Sequence, residues 1–306
     1  MAQTYIKNVA IVGAGGNVGK HFTEELLKTG KHTVTALTRV GGTSPVPEGV
    51  KRVEVDYDNS DSLVSALKGQ EFLIITLSIT TPPDTHGKIV KAASEAGVPY
   101  IMPNVYGSDI MNESMRKEDL YSGGAYERCL EVEKQGNTAY IAMACGFWYE
   151  WSLAIGEQWF GFDIKNRTVT FIDDGNTKIT TSTFGQCGRA IAALLSLPES
   201  GAEPSVSQWK NKPFLHRVIG TTDADWTISY QPSKERYSEG LEEMKNGVRT
   251  GFVKAMYTRA FFPGGGGDFE STRGLANDVI GLAKDDLDLA TKRSVDLVEA
   301  GWNPFA

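Results

Sequence analysis

The sequence predicts an α/β fold: a doubly wound parallel sheet covered by helices on both faces, followed by a smaller α+β region. Three observations carry this. Strand-like and helix-like stretches alternate through residues 1–147. The first strand runs straight into a glycine-rich turn, Gly13-Ala14-Gly15-Gly16-Asn17-Val18-Gly19, and from there into a helix. After Phe147 the alternation stops, and Phe147, Trp148, Tyr149, Trp151, Trp159, Phe160 and Phe162 crowd a short stretch. The expected division is 1–147 and 148–306, with some elements of the second part returning to the sheet.

Each element has its own signal. Residues 6–12 are mostly apolar and read as a buried strand; residues 17–29 place Val18, Phe22, Leu26 and Leu27 at helical spacing. Strand two, 33–37, ends at Thr38-Arg39, and a Gly/Pro-rich loop, 41–49, leads to strand three, 51–55, which ends at Asp56. Asn59 and Ser60 offer caps for a helix to Leu67. Strand four spans 71–77, with Phe72-Leu73-Ile74-Ile75 at its centre. Pro82-Pro83 opens a helix that Gly97 stops. Strand five (98–102), a helix (118–135) and strand six (138–144) complete the alternation. Beyond it, strands are expected at 168–172, 178–181 and 215–219, and helices at 184–197, 234–246 and 249–261. Residues 263–268, Pro-Gly-Gly-Gly-Gly-Asp, read as a flexible loop, a connector more than a mobile lid.

Composition removes several classes of function. The formal net charge is -7, which disfavours a nucleic-acid partner held by general electrostatics. No stretch has a signal-peptide core or the length to span a bilayer, so the expected location is cytoplasmic, with no membrane partner. Cys129, Cys145 and Cys187 are widely spaced and contain no C-x-x-C, so they read as buried thiols. His21, His32, His86 and His216 have no metal-ligand spacing, and no metal is expected.

The strand–turn–helix order around Gly13, Gly15, Gly16 and Gly19 is what a dinucleotide pyrophosphate needs. Glycines let the backbone bend and approach phosphate, and the helix N-terminus supplies N–H groups and a partial positive charge. Asn17 and Val18 complete the turn. About twenty residues beyond the last glycine, an acidic residue would accept hydrogen bonds from a ribose 2′-hydroxyl. Here Thr38 and Arg39 stand there instead, and an arginine pairs with a 2′-phosphate. NADPH/NADP is therefore expected over NADH. Asp56 could accept from an adenine amino group or cap the following helix. Ser78, just past strand four, lies on the expected cofactor path, and His86 begins the next helix.

These residues resemble a known group. Gly13, Gly16 and Gly19 with Thr38-Arg39 resemble the NmrA-like and isoflavone-reductase-like branch of the short-chain dehydrogenase/reductase superfamily. Tyr100-Ile101-Met102-Pro103-Asn104-Val105-Tyr106-Gly107 is similar to that branch's loop after strand five. Asp174-Gly175-Asn176-Thr177-Lys178, followed by Phe184 to Ala192, resembles a further family stretch; the likeness covers most of residues 1–200 and fades beyond. It implies a Rossmann-type domain, NADP(H), and a small aromatic or phenolic substrate bound by the smaller region. It also implies that Asn104 and Tyr106 stand near the nicotinamide and that Cys145-Gly146-Phe147 line the substrate side.

One departure matters. Reductases of this branch carry a lysine on the helix after the strand-five loop, and an ungapped alignment puts Ala125 there. The wider superfamily's Tyr-x-x-x-Lys pair is missing from this helix too: Tyr121 is followed four residues on by Ala125, and Tyr126 by Leu130, while Tyr230 to Lys234, with Pro232 inside it and outside the first half of the chain, reads as chance. The candidate proton donors are then Tyr106, Tyr126 and Tyr121, each of which could instead be a packing aromatic. Phe147, Trp148 and Trp151, with Tyr106 and His86, are candidates to hold the substrate. Two functions follow. One is an NADPH-dependent reductase of a small aromatic secondary metabolite. The other is a non-catalytic NADP(H) redox sensor that regulates a partner protein. The chain could act as a homodimer in either role.

Overall fold

The computed structural model describes residues 5–198, 208–209, 212–277 and 279–304. Six parallel strands form the large sheet: β1 (Asn8–Val12), β2 (Thr33–Arg39), β3 (Lys51–Val55), β4 (Phe72–Ile75), β5 (Tyr100–Met102) and β6 (Ala139–Tyr140). Their order is β3-β2-β1-β4-β5-β6. The order reverses between β1 and β4, where Ile11 pairs with Ala36 on one side and Ile74 on the other. In such sheets the crevice at the carboxyl ends of the two reversing strands receives the ligand.

Alternation of side chains across the pleat builds two cores. Val9, Ile11, Phe72 and Ile74 face one layer, and Ala10, Val12, Leu73 and Ile75 face the other. The first layer is closed by α1 (Gly19–Lys28), through Phe22 and Leu26. The second is closed by α2 (Ser60–Leu67) and α3 (Thr85–Glu95), with Val132 joining from farther along the chain. Then follow α4 (Glu113–Glu118) and α5 (Ser122–Glu133). The helix expected over 118–135 thus begins only at Ser122. Asp119 breaks the path, because its carboxylate accepts from the Tyr121 and Ser122 N–H groups and from the Ser122 hydroxyl.

The rest of the chain begins with β7 (Phe147–Trp148), α6 (Tyr149–Ala154), α7 (Glu157–Phe160), β8 (Phe162–Asp163), β9 (Thr168–Ile172) and β10 (Ile179–Ser182). It continues through α8 (Phe184–Leu195), β11 (Gln208–Trp209), α9 (Lys212–Ile219), β12 (Thr227–Gln231), α10 (Ser233–Lys245), α11 (Arg249–Ala260), α12 (Glu270–Arg273) and α13 (Leu287–Glu299). Two three-stranded sheets result, β11-β10-β7 and β12-β9-β8. A third core, including Tyr149, Trp159, Phe160, Tyr257 and Val295, lies among them. Helix α8 returns to the large sheet. Its Gly188 lies so close to α1 that a Cβ there would stand 2.5 Å from the His21 carbonyl oxygen. Glu150, buried, accepts from the Phe184 N–H at 3.1 Å and pairs with Arg293, tying α6, α8 and α13 together.

Two expectations are corrected here. Residues 215–219 are helical, not a strand, and belong to α9. Leu215, Val218 and Ile219 sit at i, i+3 and i+4, which places all three on one helical face against the third core. The loop at 263–268 is not loose. Arg259 Nη1 donates to the Gly265 carbonyl at 2.7 Å, and the Thr180 N–H donates to the Gly267 carbonyl at 2.7 Å. Several elements had no sequence counterpart, among them β12, which pairs in parallel with β9, and α13.

Candidate functional site

The glycine turn leaves β1 at Gly13 with φ +80°, where a Cβ would stand 2.1 Å from the Thr76 carbonyl oxygen. Thr76 continues β4, and its hydroxyl donates to the Val12 carbonyl at 2.7 Å, locking the two reversing strands at the crevice. A Cβ on Gly19 would meet the Gly13 carbonyl oxygen at 2.1 Å, so the third glycine lets α1 start against the turn. Gly15 faces the loop between β2 and β3, where the Pro45 carbonyl oxygen lies 1.8 Å from its hypothetical Cβ. Arg52 holds that loop by donating to the Gly42 and Ser44 carbonyls. Gly16 differs: a Cβ there would meet only the Gly13 oxygen, at 3.2 Å. Space above Gly16 is therefore open, as a phosphate requires. Helix α1 starts at Gly19, and its N-cap, Val18, gives no side-chain cap; no acidic residue stands in its first turn, which leaves its positive end to an anion.

At the end of β2, Arg39 is exposed and makes no ion pair with a described residue. Beside it, the Thr38 hydroxyl is buried without a hydrogen-bond partner among the described residues. An unpaired cation next to an orphaned hydroxyl fits the ribose-phosphate end of a dinucleotide. Arg39 also lies near Tyr57, whose hydroxyl burial pushes up to about 12 against the pull of that guanidinium. Asn59, not Asp56, caps α2, accepting from the Ser62 N–H at 3.2 Å. Asp56 closes a local turn by accepting from the Asp58 N–H at 3.0 Å and remains exposed beyond β3. Ser78 is exposed and shares a hydrogen bond with Thr80 at 2.9 Å.

Asn104 is spent on the backbone: its Nδ2 donates to the Leu77 carbonyl at 3.1 Å and its Oδ1 accepts from the Leu77 N–H at 3.2 Å. It thus staples the loop after β5 to the loop after β4. Among the tyrosines, Tyr106 is buried, and its hydroxyl donates to the Ile75 carbonyl at 2.9 Å. Burial raises its pKa well above the ordinary phenol value. Tyr121 lies against Gly107, and its hydroxyl accepts from the Tyr106 N–H at 3.2 Å, which leaves its own proton to donate elsewhere. Tyr126 packs its ring under the Arg116 guanidinium, 4.2 Å from the ring centroid. Ala125 is fully buried beside Val105, Ile110 and Cys129.

The aromatic cluster packs largely on itself, with the buried Trp148 Nε1 left without a hydrogen-bond partner among the described residues. Phe147 stacks on Tyr257 with centroids 4.0 Å apart. Trp148 packs against Trp151 and Phe184, and Trp151 against Trp302. His86 is buried, bonded to Glu131 on one side and Asn104 on the other. Sequence reasoning missed Thr76, the Pro45 roof and Glu131. Only Thr76 had a signal, as the first polar residue after an apolar strand. Among the described residues no group of three or more His, Cys, Asp or Glu could hold a metal ion, and no helix is long and apolar enough to cross a membrane.

Residues 13–126 match the family model described as NAD(P)H-binding. The chain is 26% identical over 286 residues to the oxidoreductase aprR of Aspergillus flavus, covering 90% of this chain and 94% of that protein. It shares its fold with an NADPH-bound quinone oxidoreductase from Escherichia coli (TM-score 0.68, 19% identity, 92% and 98% coverage). It also superposes on pinoresinol-lariciresinol and phenylcoumaran benzylic ether reductases, described with their relationship to isoflavone reductases (TM-score 0.74, 19% identity, 94% and 99% coverage). With the 3-2-1-4-5-6 sheet and the glycine turn at its switch point, residues 13–126 carry an NAD(P)H-binding domain, and the chain as a whole has the fold shared by these reductases.

Proposed function

We propose that this protein is an NADPH-dependent reductase of a small aromatic or phenolic compound. The carrying observation is the unpaired Arg39 beside the orphaned Thr38 hydroxyl, at the end of β2 where no acidic residue stands. That pair favours a 2′-phosphate over a free ribose hydroxyl. Residues 1–147 hold the dinucleotide through Gly13, Gly15, Gly16, Asn17, Val18, Gly19, Thr38 and Arg39. Asp56 borders the adenine, and Ser78 and Asn104 the nicotinamide. Residues 148–306 supply most of the substrate side.

When bound, the dinucleotide supplies a hydride. The chain's own task is alignment, exclusion of water, and a proton for the atom that gains negative charge. Of the three tyrosines, Tyr121 suits the last role best, because its phenolic proton is not committed to a carbonyl as that of Tyr106 is. Tyr106 supports the floor, and Tyr126 the rim. Trp148 and Trp151 serve as wall, since their rings pack on each other, and Phe147 lies behind them. The relatives support the reaction class: those of A. flavus and E. coli are named as oxidoreductases, and the benzylic ether enzymes of similar fold as reductases.

A second reading has one observation in its favour. Ala125, where reductases of this branch carry lysine, is sealed in an apolar cluster, so no ammonium stands there. A dinucleotide sensor acting on a partner protein needs none. NADPH deuterated at each C4 face in turn, mixed with the protein and a panel of quinones and phenolic enones, separates the two. Deuterium in a product supports the reductase and gives the hydride face. Binding of NADPH with no label in any product sinks it in favour of the sensor.

A further inference from the structure

His86 lies in the first turn of α3 with its side chain 5% exposed. Its Nδ1 is 2.6 Å from Glu131 Oε2 on α5. A carboxylate only accepts, so Nδ1 carries a proton. On the other side, Nε2 faces the Asn104 backbone N–H at 3.4 Å, which only donates, so Nε2 is bare. The two contacts together define one state, the neutral Nδ1–H tautomer. Burial, assisted by Arg128, pushes the ring's pKa down against the upward pull of Glu131, in keeping with a neutral ring. A ring in this state has no proton to give on the Asn104 side.

We infer that His86 is a positioning residue for the dinucleotide. As the Nδ1–H tautomer it ties the Glu131 carboxylate to the Asn104 backbone, and thereby fixes the loops after β4 and β5 that face the nicotinamide half. Asn104 transmits the tie, because its side chain grips both backbone groups of Leu77. Four elements are joined in one chain of contacts: α5, α3 and the two loops. The inference rests on the cofactor reading above and needs no acceptor substrate.

Binding of two ligands tests it. NADPH spans both halves of the site, whereas 2′,5′-ADP reaches only the Thr38-Arg39 end. In His86→Asn the side chain ends where Nδ1 stands and loses the acceptor for Asn104. In His86→Gln an amide oxygen reaches the Nε2 position and keeps it. Loss of one buried hydrogen bond predicts NADPH binding about tenfold weaker in His86→Asn, with 2′,5′-ADP unchanged and His86→Gln close to wild type. Equal weakening of both ligands, weakening of neither, or a Gln variant as weak as the Asn variant overturns the inference. The wild-type protein gives a second reading through the ¹⁵N shifts of the His86 ring. A neutral Nδ1–H signature at pH 7 is expected, and an Nε2–H ring or an imidazolium refutes the assignment. A wild-type protein that binds neither ligand overturns the cofactor reading and this inference with it.

Discussion

Replacing Gly16 separates ligand binding from folding in a way no other glycine of the turn allows. At Gly13 a side chain needs a left-handed residue, costing about 1–2 kcal/mol, and its Cβ would overlap the Thr76 carbonyl oxygen at 2.1 Å. Overpacking adds about 1–3 kcal/mol. Gly13→Ala should therefore unfold several degrees lower, whatever its effect on cofactor. At Gly16 the φ is unstrained and the single close atom is the Gly13 oxygen at 3.2 Å. Gly16→Val should melt within a few degrees of wild type, yet place its methyl groups in the open space above the turn. A pyrophosphate pushed off the N-terminus of α1 loses one or two charge-assisted hydrogen bonds, each worth about 1.5–3 kcal/mol. NADPH affinity should fall by about tenfold for one weak bond lost and up to about 10⁴-fold for two strong ones, which a fluorescence titration beside a thermal melt resolves. A folded Gly16→Val protein that binds NADPH as wild type does would show that the phosphates do not pass over this turn.

Further outcomes follow from other parts of the molecule. Arg39→Ala should weaken NADPH by about 10- to 100-fold, from one lost charge-assisted contact, and leave NADH nearly unchanged; equal loss of both removes the 2′-phosphate argument. Tyr121→Phe should lower kcat by about a hundredfold or more if the phenol is the proton source, with NADPH affinity intact; an unchanged kcat assigns the proton to another group. His21, whose pKa burial lowers to about 4, is stacked flat on Phe184. The unfolded chain binds the extra proton first, so stability should rise as pH climbs from about 4 to 6.5 and level off above, by at most about 3 kcal/mol. In His21→Gln, denaturant titrations over the same range should lose that slope, and an unaltered slope would place its origin elsewhere.

The parts of the fold that could be read in advance are those where local pattern and tertiary demand coincide. Phe72 to Ile75 is apolar at every position because both faces of β4 are covered, and no other element satisfies so short an apolar run. Helix α13 escaped notice because its buried face uses Ala290, Thr291 and Ser294 beside Leu287 and Val295, too small and polar to mark a stripe. Strand β12 is short and mostly exposed, so the alternation of Thr-Ile-Ser-Tyr-Gln marks no buried face. The β-branched pair Val218 and Ile219, with Leu215 before them, looks strand-like in isolation, and only packing on the third core decides for helix. At the site, the residues proposed to touch phosphate were legible because backbone chemistry dictates glycine there. The tyrosines were not. What separates Tyr106 from Tyr121 is a carbonyl on a strand far away in sequence, and no local pattern encodes it.

The passage from the large sheet to the small ones runs through Gly146, with φ +67°. Its N–H donates to the Gly107 carbonyl at 3.0 Å, and a Cβ on it would stand 2.0 Å from the Thr180 oxygen. Main chain from three separate segments meets there with no side chain between them. Only glycine fits a joint so close, so a larger residue at 146 would have to part the three segments that meet there, and with them the large sheet from the small ones.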